Sequence, residues 1–325
     1  MFTAWAKQST QMLTKIRENR MNTAKRVLLS SGFTENNFIV QNNCAVVSGD
    51  VRNELSKLPE NTFQCCVTSP PYWGLRDYAA INQIGAEENV NDYIDNLVKV
   101  FQEVKRVLKD DGTFWLNIGD SYTSGNRTWR GEDKKNVARA MSYRPPTPEG
   151  LKPKDLIGVP WRLAFALQAD GWYLRSDIIW HKPNCQPESV KDRPTRAHEY
   201  LFLFSKSEKY YYDYEAIKEP AVLKNRKTKN KRTVWFPDAT ESIWNINTEP
   251  FNGAHFAVFP RALVRPCVLA GSKPGSLVLD PFFGSGTTGE VCLETDRQCI
   301  GIELKPEYVE IAKHRLSIDQ PLTLF

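Results

Sequence analysis

Thr68-Ser69-Pro70-Pro71-Tyr72-Trp73-Gly74 brings a hydroxyl, two prolines and two large aromatics into one short stretch. Phe63 to Val67 just before it (FQCCV) is apolar with β-branched and aromatic character, the pattern of a buried strand. Two prolines cannot extend that strand, so the chain must turn. Proline fixes the backbone and offers carbonyl acceptors but no N–H. The product is a rigid mouth at a strand end, with acceptors for an amino group and a flat π-face beside them. Such a mouth suits a planar amine such as a nucleobase, and stacking on one aromatic contributes about 1–3 kcal/mol per base. Taken alone, Pro-Pro-aromatic fits an ordinary loop as well.

A second motif lies far downstream. Ser276 to Leu279 is apolar and runs into Asp280, then Pro281-Phe282-Phe283-Gly284-Ser285-Gly286-Thr287-Thr288-Gly289, with a helix predicted from Thr288 to Glu294. Gly284, Gly286 and Gly289 spell G-x-G-x-x-G between a strand and a helix, the setting in which that fingerprint binds nucleoside-type ligands. The glycines allow close approach of backbone to ligand and of helix to sheet. A further apolar run, Cys299 to Ile302, ends at Glu303, about twenty residues on, where a ribose-binding carboxylate is expected. The fingerprint by itself also permits a dinucleotide oxidoreductase.

Together the motifs resemble those of the S-adenosylmethionine-dependent amino-methyltransferases of DNA. In that family Ser/Asp/Asn-Pro-Pro-aromatic is the catalytic loop and Asp-Pro-Phe-x-Gly-x-Gly-Thr the cofactor loop. The catalytic loop comes first here, an order similar to the permuted β class, and the resemblance spans roughly 43–316. It implies that Ser69 and the Pro70 carbonyl accept the hydrogens of the target amine, that Pro71 and Tyr72 complete the loop with Tyr72 stacking on the base, and that Trp73 lies against DNA. It implies S-adenosylmethionine as cofactor, held by Asp280, Pro281, Phe282, Gly284, Ser285, Gly286, Thr287, Thr288 and Glu303. Asp50, in a Gly-Asp pair after the short strand Ala45 to Ser48, resembles the part that meets the adenine. His255 to Gly271 resembles the helix that cradles the methionine end, with His255-Phe256 where the family commonly has histidine-proline.

The implied fold is α/β: a Rossmann-like, doubly wound, mostly parallel sheet with an inserted target-recognition region. The divisions read as an N-terminal helical extension (1–42), a catalytic half (43–187), a target-recognition region (188–249) and a cofactor-binding half (250–325). A chain of 325 residues has room for such a domain with an insertion. The formal charge of +5 is compatible with nucleic acid without being diagnostic. Its distribution says more: Lys224 to Arg232 carries six cations and no acid. Solvated loop and DNA contact both fit that run, and its place in the target-recognition interval favours DNA, through Lys224, Arg226, Lys227, Lys229, Lys231 and Arg232.

The seven cysteines form no C-x-x-C and only four histidines exist, so no zinc pattern follows. Cys65 and Cys66 sit in an apolar run and read as core. Unpaired usage points to a reducing compartment. No stretch approaches membrane-spanning length. The resemblance places the protein in a prokaryotic or phage-type cytoplasm on the nucleoid, with double-stranded DNA as partner. It leaves open a homodimer and a cognate restriction endonuclease acting separately.

Other elements must position these loops. Asp92 to Lys109 shows a helical apolar stripe, capped by Asp92 and ended by Asp110-Asp111-Gly112. Thr113 to Ile118 and Ser176 to Trp180 read as strands, and Trp161 to Gln168 as a helix. Residues 121–155 show no period and suggest a DNA-facing loop. His181 ends a strand and is a base or a plain hydrogen-bonding residue. Tyr200 to Phe204 and Tyr210 to Tyr214 suggest a hairpin.

The expected reaction is methyl transfer to N4 of cytosine in duplex DNA by in-line attack of a flipped-out base, because in the family serine before Pro-Pro is commoner on cytosine and an acid or amide on adenine. N6-adenine, RNA as substrate, a non-catalytic DNA binder and an NAD-type oxidoreductase are the alternatives.

Overall fold

The computed structural model of the protein describes residues 22–75, 83–123, 145–182, 185, 188–221, 228–233, 244–245 and 259–317. In chain order the elements are α1 (Thr23–Ser30), β1 (Phe38–Gln41), β2 (Cys44–Ser48), α2 (Val51–Ser56), β3 (Phe63–Thr68), α3 (Val90–Val107), β4 (Leu108–Ile118), α4 (Val159–Ala169), β5 (Tyr173–His181) and β6 (His198–Ser205). The short β7 (Glu219–Pro220), β8 (Thr228–Lys229) and β9 (Trp244–Asn245) follow, then α5 (Arg261–Gly271), β10 (Leu277–Asp280), α6 (Thr287–Glu294), β11 (Gln298–Glu303) and α7 (Pro306–Ser317).

β3 and β10 are buried at every position. Strands apolar on both faces belong inside a layered sheet with helices above and below, and they stand side by side in a nine-stranded sheet of order β1-β2-β11-β10-β3-β4-β6-β5-β9. β2, β11, β10, β3 and β4 are mutually parallel. β6 runs antiparallel between β4 and β5. Alternate residues feed two cores. Ala45, Cys66, Phe114, Leu116, Phe202, Leu279 and Ile300 face α3 and α4 through Leu97, Phe101 and Leu163. Val46, Cys65, Val67, Trp115, Leu201, Val278 and Cys299 face α5, α6 and α7 through Val264, Val268, Cys292 and Val309. This is the doubly wound, mostly parallel architecture that the sequence implies.

Three local expectations are corrected. Asn89, not Asp92, caps α3, its side chain accepting from the Asp92 N–H. Asp110-Asp111-Gly112 does not stop that helix in a turn. The break comes at Leu108, whose backbone is already extended, because its fully buried side chain belongs to the core and the residue pairs with Phe63 in the sheet. Tyr200 to Phe204 is not half of a hairpin with Tyr210 to Tyr214. Leu201 and Leu203 fill one core while Phe202 and Phe204 fill the other, so the strand lies in a layer covered on both faces. β6 therefore stands in the main sheet, although it falls in the segment expected to read DNA. Tyr210 to Tyr214 forms no strand, and Tyr212 stacks on Trp115 with centroids 6.3 Å apart.

Part of the N-terminal extension is integral. β1 pairs with β2 as an edge strand, and the Ala24 N–H at the start of α1 donates to the Gln298 side chain at 3.3 Å. Among the described residues no helix is long and apolar enough to cross a membrane.

Candidate active site at the carboxyl ends of the central strands

In an open α/β sheet, ligands bind outside the carboxyl ends of parallel strands. The Ser69 loop leaves β3 and the glycine loop leaves β10 at that edge, and the two strands are direct neighbours, Leu279 against Cys66. A buried carboxylate ties them together. Asp280 accepts the Thr68 hydroxyl at 2.6 Å, the Thr288 hydroxyl at 2.6 Å and the Phe282 N–H at 3.1 Å. Burial, partly offset by these bonds, raises its pKa to about 6. Asp280 is fully buried, so its carboxylate fixes the spacing of the two loops and does not face a ligand.

Several bonds hold the Ser69 loop. The Tyr93 hydroxyl donates to the Pro71 carbonyl at 2.8 Å, the Gly74 N–H to Gly85 O at 2.9 Å, and the Trp73 indole N–H to Glu87 O at 2.9 Å. Trp73 is thereby only 4% exposed, which corrects its expected role against DNA: the indole locks the loop onto the 83–89 segment. Gly85 has φ 98°, and a side chain there would press on the Tyr72 carbonyl and on Pro71. Ser69 and Tyr72 stay partly exposed. The Tyr72 hydroxyl donates to Glu199 at 2.7 Å and lies 3.4 Å from the Ser69 hydroxyl. Burial and the adjacent Glu199 carboxylate hold this phenol well above its ordinary pKa.

The glycine loop closes on its own scaffold. Gly286 takes φ 89° at the cap of α6, and a side chain there would meet Ala312 and Phe283 at 3.2 and 3.3 Å. Arg315 of α7 donates to the Ser285 carbonyl at 3.0 Å and also grips the Ser285 hydroxyl and Glu290. Ser285, Thr287 and Thr288 are buried, and the Ser285 and Thr288 hydroxyls bond within the protein. Of the predicted cofactor residues that are described, the partly exposed ones are Phe282, Gly284, Glu303 and Asp50. Glu303 accepts the Gly284 N–H at 2.8 Å and the Lys305 N–H at 2.8 Å, and burial raises its pKa. Each carboxylate oxygen keeps a lone pair for the hydroxyls of a ribose. The partly exposed Gly284 backbone and this carboxylate fit the ribose of S-adenosylmethionine. Asp50 caps α2 and pairs with Arg52.

His255, Phe256, Lys224, Arg226 and Lys227 lie outside the described residues. Within the described part of the basic run, Lys231 pairs with Glu219 at 3.0 Å, Lys229 lies on β8, and the Arg232 Nε and Nη2 atoms are buried. Residues that sequence reasoning missed are Thr68, Asn117, Gly119, Asp120, Lys182, Glu199 and Arg315. Asp120 accepts the Val159 and Gly158 N–H groups at 2.9 and 3.1 Å and so anchors α4 below the site. A Gly-Asp after a strand was its only signal.

Comparison with known proteins agrees with this geometry. A family model described as DNA methylase matches residues 63–314. The Type II methyltransferase M.SmaI of Serratia marcescens is 68% identical over 273 residues, covering 84% of this chain and 90% of the relative. M.Cfr9I of Citrobacter freundii, also a Type II methyltransferase, is 62% identical over 275 residues, covering 85% and 88%. The solved structure of the PvuII DNA methyltransferase (cytosine-N4-specific) shares the fold, with TM-score 0.62 at 23% identity over 87% of this chain and 89% of that one.

Proposed function

The chain belongs to the DNA methylase family, and on that premise we propose that it methylates the exocyclic N4 of cytosine in duplex DNA. The observation that carries this reading is the meeting of two loops. Ser69-Pro70-Pro71-Tyr72 leaves β3, the glycine loop leaves β10 beside it, and Thr68 and Asp280 bind the two strand ends together.

S-adenosylmethionine, when bound, supplies a methyl group on a sulfonium sulfur. Glu303 and the Gly284 backbone hold its ribose. The amine of cytosine is a poor nucleophile because its lone pair is delocalised into the ring. The Ser69 hydroxyl and the Pro70 carbonyl accept the two amino hydrogens and draw the nitrogen towards a pyramidal shape. Pro71 is fixed from behind by Tyr93, so the acceptors are set before substrate arrives. Such positioning supplies up to about 7–11 kcal/mol of the barrier. Tyr72 offers its ring to the base, which must leave the duplex because its amino group is paired there. Lys224, Arg226, Lys227 and Lys229 neutralise DNA phosphates, while Lys231 is engaged by Glu219 and two Arg232 nitrogens are buried, so affinity falls with salt through the first four. In the cell the enzyme works in the cytoplasm on the chromosome, marking sites against a separately acting endonuclease.

Nucleoside mass spectrometry of duplex DNA incubated with the protein and methyl-labelled S-adenosylmethionine tests this. Labelled N4-methylcytosine, lost in Ser69→Ala, is the expected result. N6-methyladenine alone would overturn the base assignment and keep the class. No label on DNA would overturn the reading.

A further inference from the structure

Tyr72 is held by residues far from the catalytic loop in sequence. Behind its ring stands Gly119, at the end of β4: a side chain there would lie 2.7 Å from Tyr72 Cε2 and 3.3 Å from the Glu199 carboxyl carbon. Its hydroxyl donates to Glu199 at 2.7 Å. The Asn117 amide, 1% exposed, donates to the same carboxylate at 3.3 Å and to Tyr200 O at 3.1 Å. On its other oxygen Glu199 is paired with the Lys182 ammonium, which also sits 4.1 Å over the Trp180 ring. The Lys182 N–H donates to Ala197 O at 2.8 Å, joining the end of β5 to the start of β6.

We propose that Glu199, oriented by Lys182 and Asn117 and backed by the bare face of Gly119, is a positioning residue that fixes the Tyr72 ring for stacking on the target base. The clamp spans three strands: β4 gives the wall, β6 the carboxylate and β5 the counter-charge. An aromatic in a proline loop can rotate about its side-chain bonds. Two fixed points, a hydroxyl anchor and a wall without a Cβ, leave one orientation. Glu199 meets the Ser69 loop through the Tyr72 hydroxyl, and it acts through Tyr72. The proposal rests on the methyl-transfer reading for its kinetic test, and a second measurement is independent of it.

The test is a double-mutant cycle of Glu199→Ala and Tyr72→Phe, with Glu199→Gln as the shape-preserving control. Glu199→Ala is expected to lower kcat about tenfold while KM for S-adenosylmethionine stays within about twofold, since a slightly misplaced reacting group costs rate more than binding. Glu199→Gln should lose less than Glu199→Ala, because its one amide oxygen can still serve either the Tyr72 hydroxyl or the Lys182 ammonium while its NH2 takes the other side. In the Tyr72→Phe background Glu199→Ala should cost less than about twofold, because the hydroxyl through which it acts is gone. Additive losses would overturn the clamp. The same cycle is read in the melting temperature of the unliganded protein, where non-additive shifts are expected and additive ones refute it. If the parent protein methylates no DNA, the functional reading fails and the melting cycle still decides the clamp.

Discussion

Replacing Asp280 by asparagine should flatten a pH dependence that Asp280 imposes on stability. The group is fully buried, and burial raises its pKa from 3.8 to about 6 against the pull of its three hydrogen bonds. The folded protein therefore holds this proton more tightly than the unfolded chain. As pH climbs past 3.8 the unfolded chain releases the proton first, so stability falls, and it levels off above pH 6, once both states are ionised. At 1.36 kcal/mol for each pH unit of difference, the full penalty is about 3 kcal/mol, of which about 2.4 kcal/mol accrues between pH 4 and pH 7. Asparagine fits the site: its oxygen accepts from Thr68 and Phe282, and its amide donates to the Thr288 hydroxyl, which can accept. It has no proton to lose. Urea unfolding of both proteins at several pH values gives the difference curve, with constant m-values as the check on two-state behaviour. Mutant stability minus wild-type stability should rise by about 2.4 kcal/mol from pH 4 to pH 7. A flat difference would mean that Asp280 keeps an ordinary pKa. A falling one would mean that the two threonines and the amide outweigh burial.

Other changes test neighbouring parts. A Cβ at Gly301 would run into the Phe283 ring, which is buried and cannot swing away. Gly301→Ala should cost about 2 kcal/mol or more by thermal melting, and an unchanged melting temperature would refute the packing of β11 on the cofactor loop. Glu303→Gln should weaken S-adenosylmethionine binding about tenfold in calorimetry without changing DNA affinity, and equal cofactor affinity would remove Glu303 from the site. Six of the seven cysteines are buried, Cys185 being half-exposed, and burial lifts the Cys65 thiol to about 12 and those of Cys66, Cys267 and Cys299 well above normal. One thiol should therefore react quickly with Ellman's reagent in the native protein and the rest only after unfolding, with a second fast thiol counting against the fold.

The two loops were legible because proline and glycine punctuate apolar runs at both places, and each residue type limits what the backbone can do there. The helix α3 was legible by period, but not its end, since only the pairing of Leu108 with Phe63 pulls the chain into the sheet. Asp280 read as a ligand because a strand-end carboxylate before a glycine loop can face either way. What turns it inward is Thr68, 212 residues away, a distance that no local pattern spans. Trp73 misled for a related reason: an aromatic in a loop looks available until its N–H finds a carbonyl in a segment folded back over it. Glu199 gave no signal, because its meeting with Tyr72 depends on the antiparallel register that sets Tyr200 beside Ile118.

The order of the sheet has a consequence for how the protein comes into being. β2 and β3 follow one another in sequence yet do not touch, since β11 and β10 stand between them. A ribosome that has delivered the Ser69 loop has still to make more than two hundred residues before β10 and β11 can fill that slot. Until then the two strands present open edges, the kind of surface that pairs with other chains. The nascent polypeptide therefore carries its chemistry early and stays idle, and translation stalled before residue 280 should leave insoluble fragments rather than a partly active enzyme.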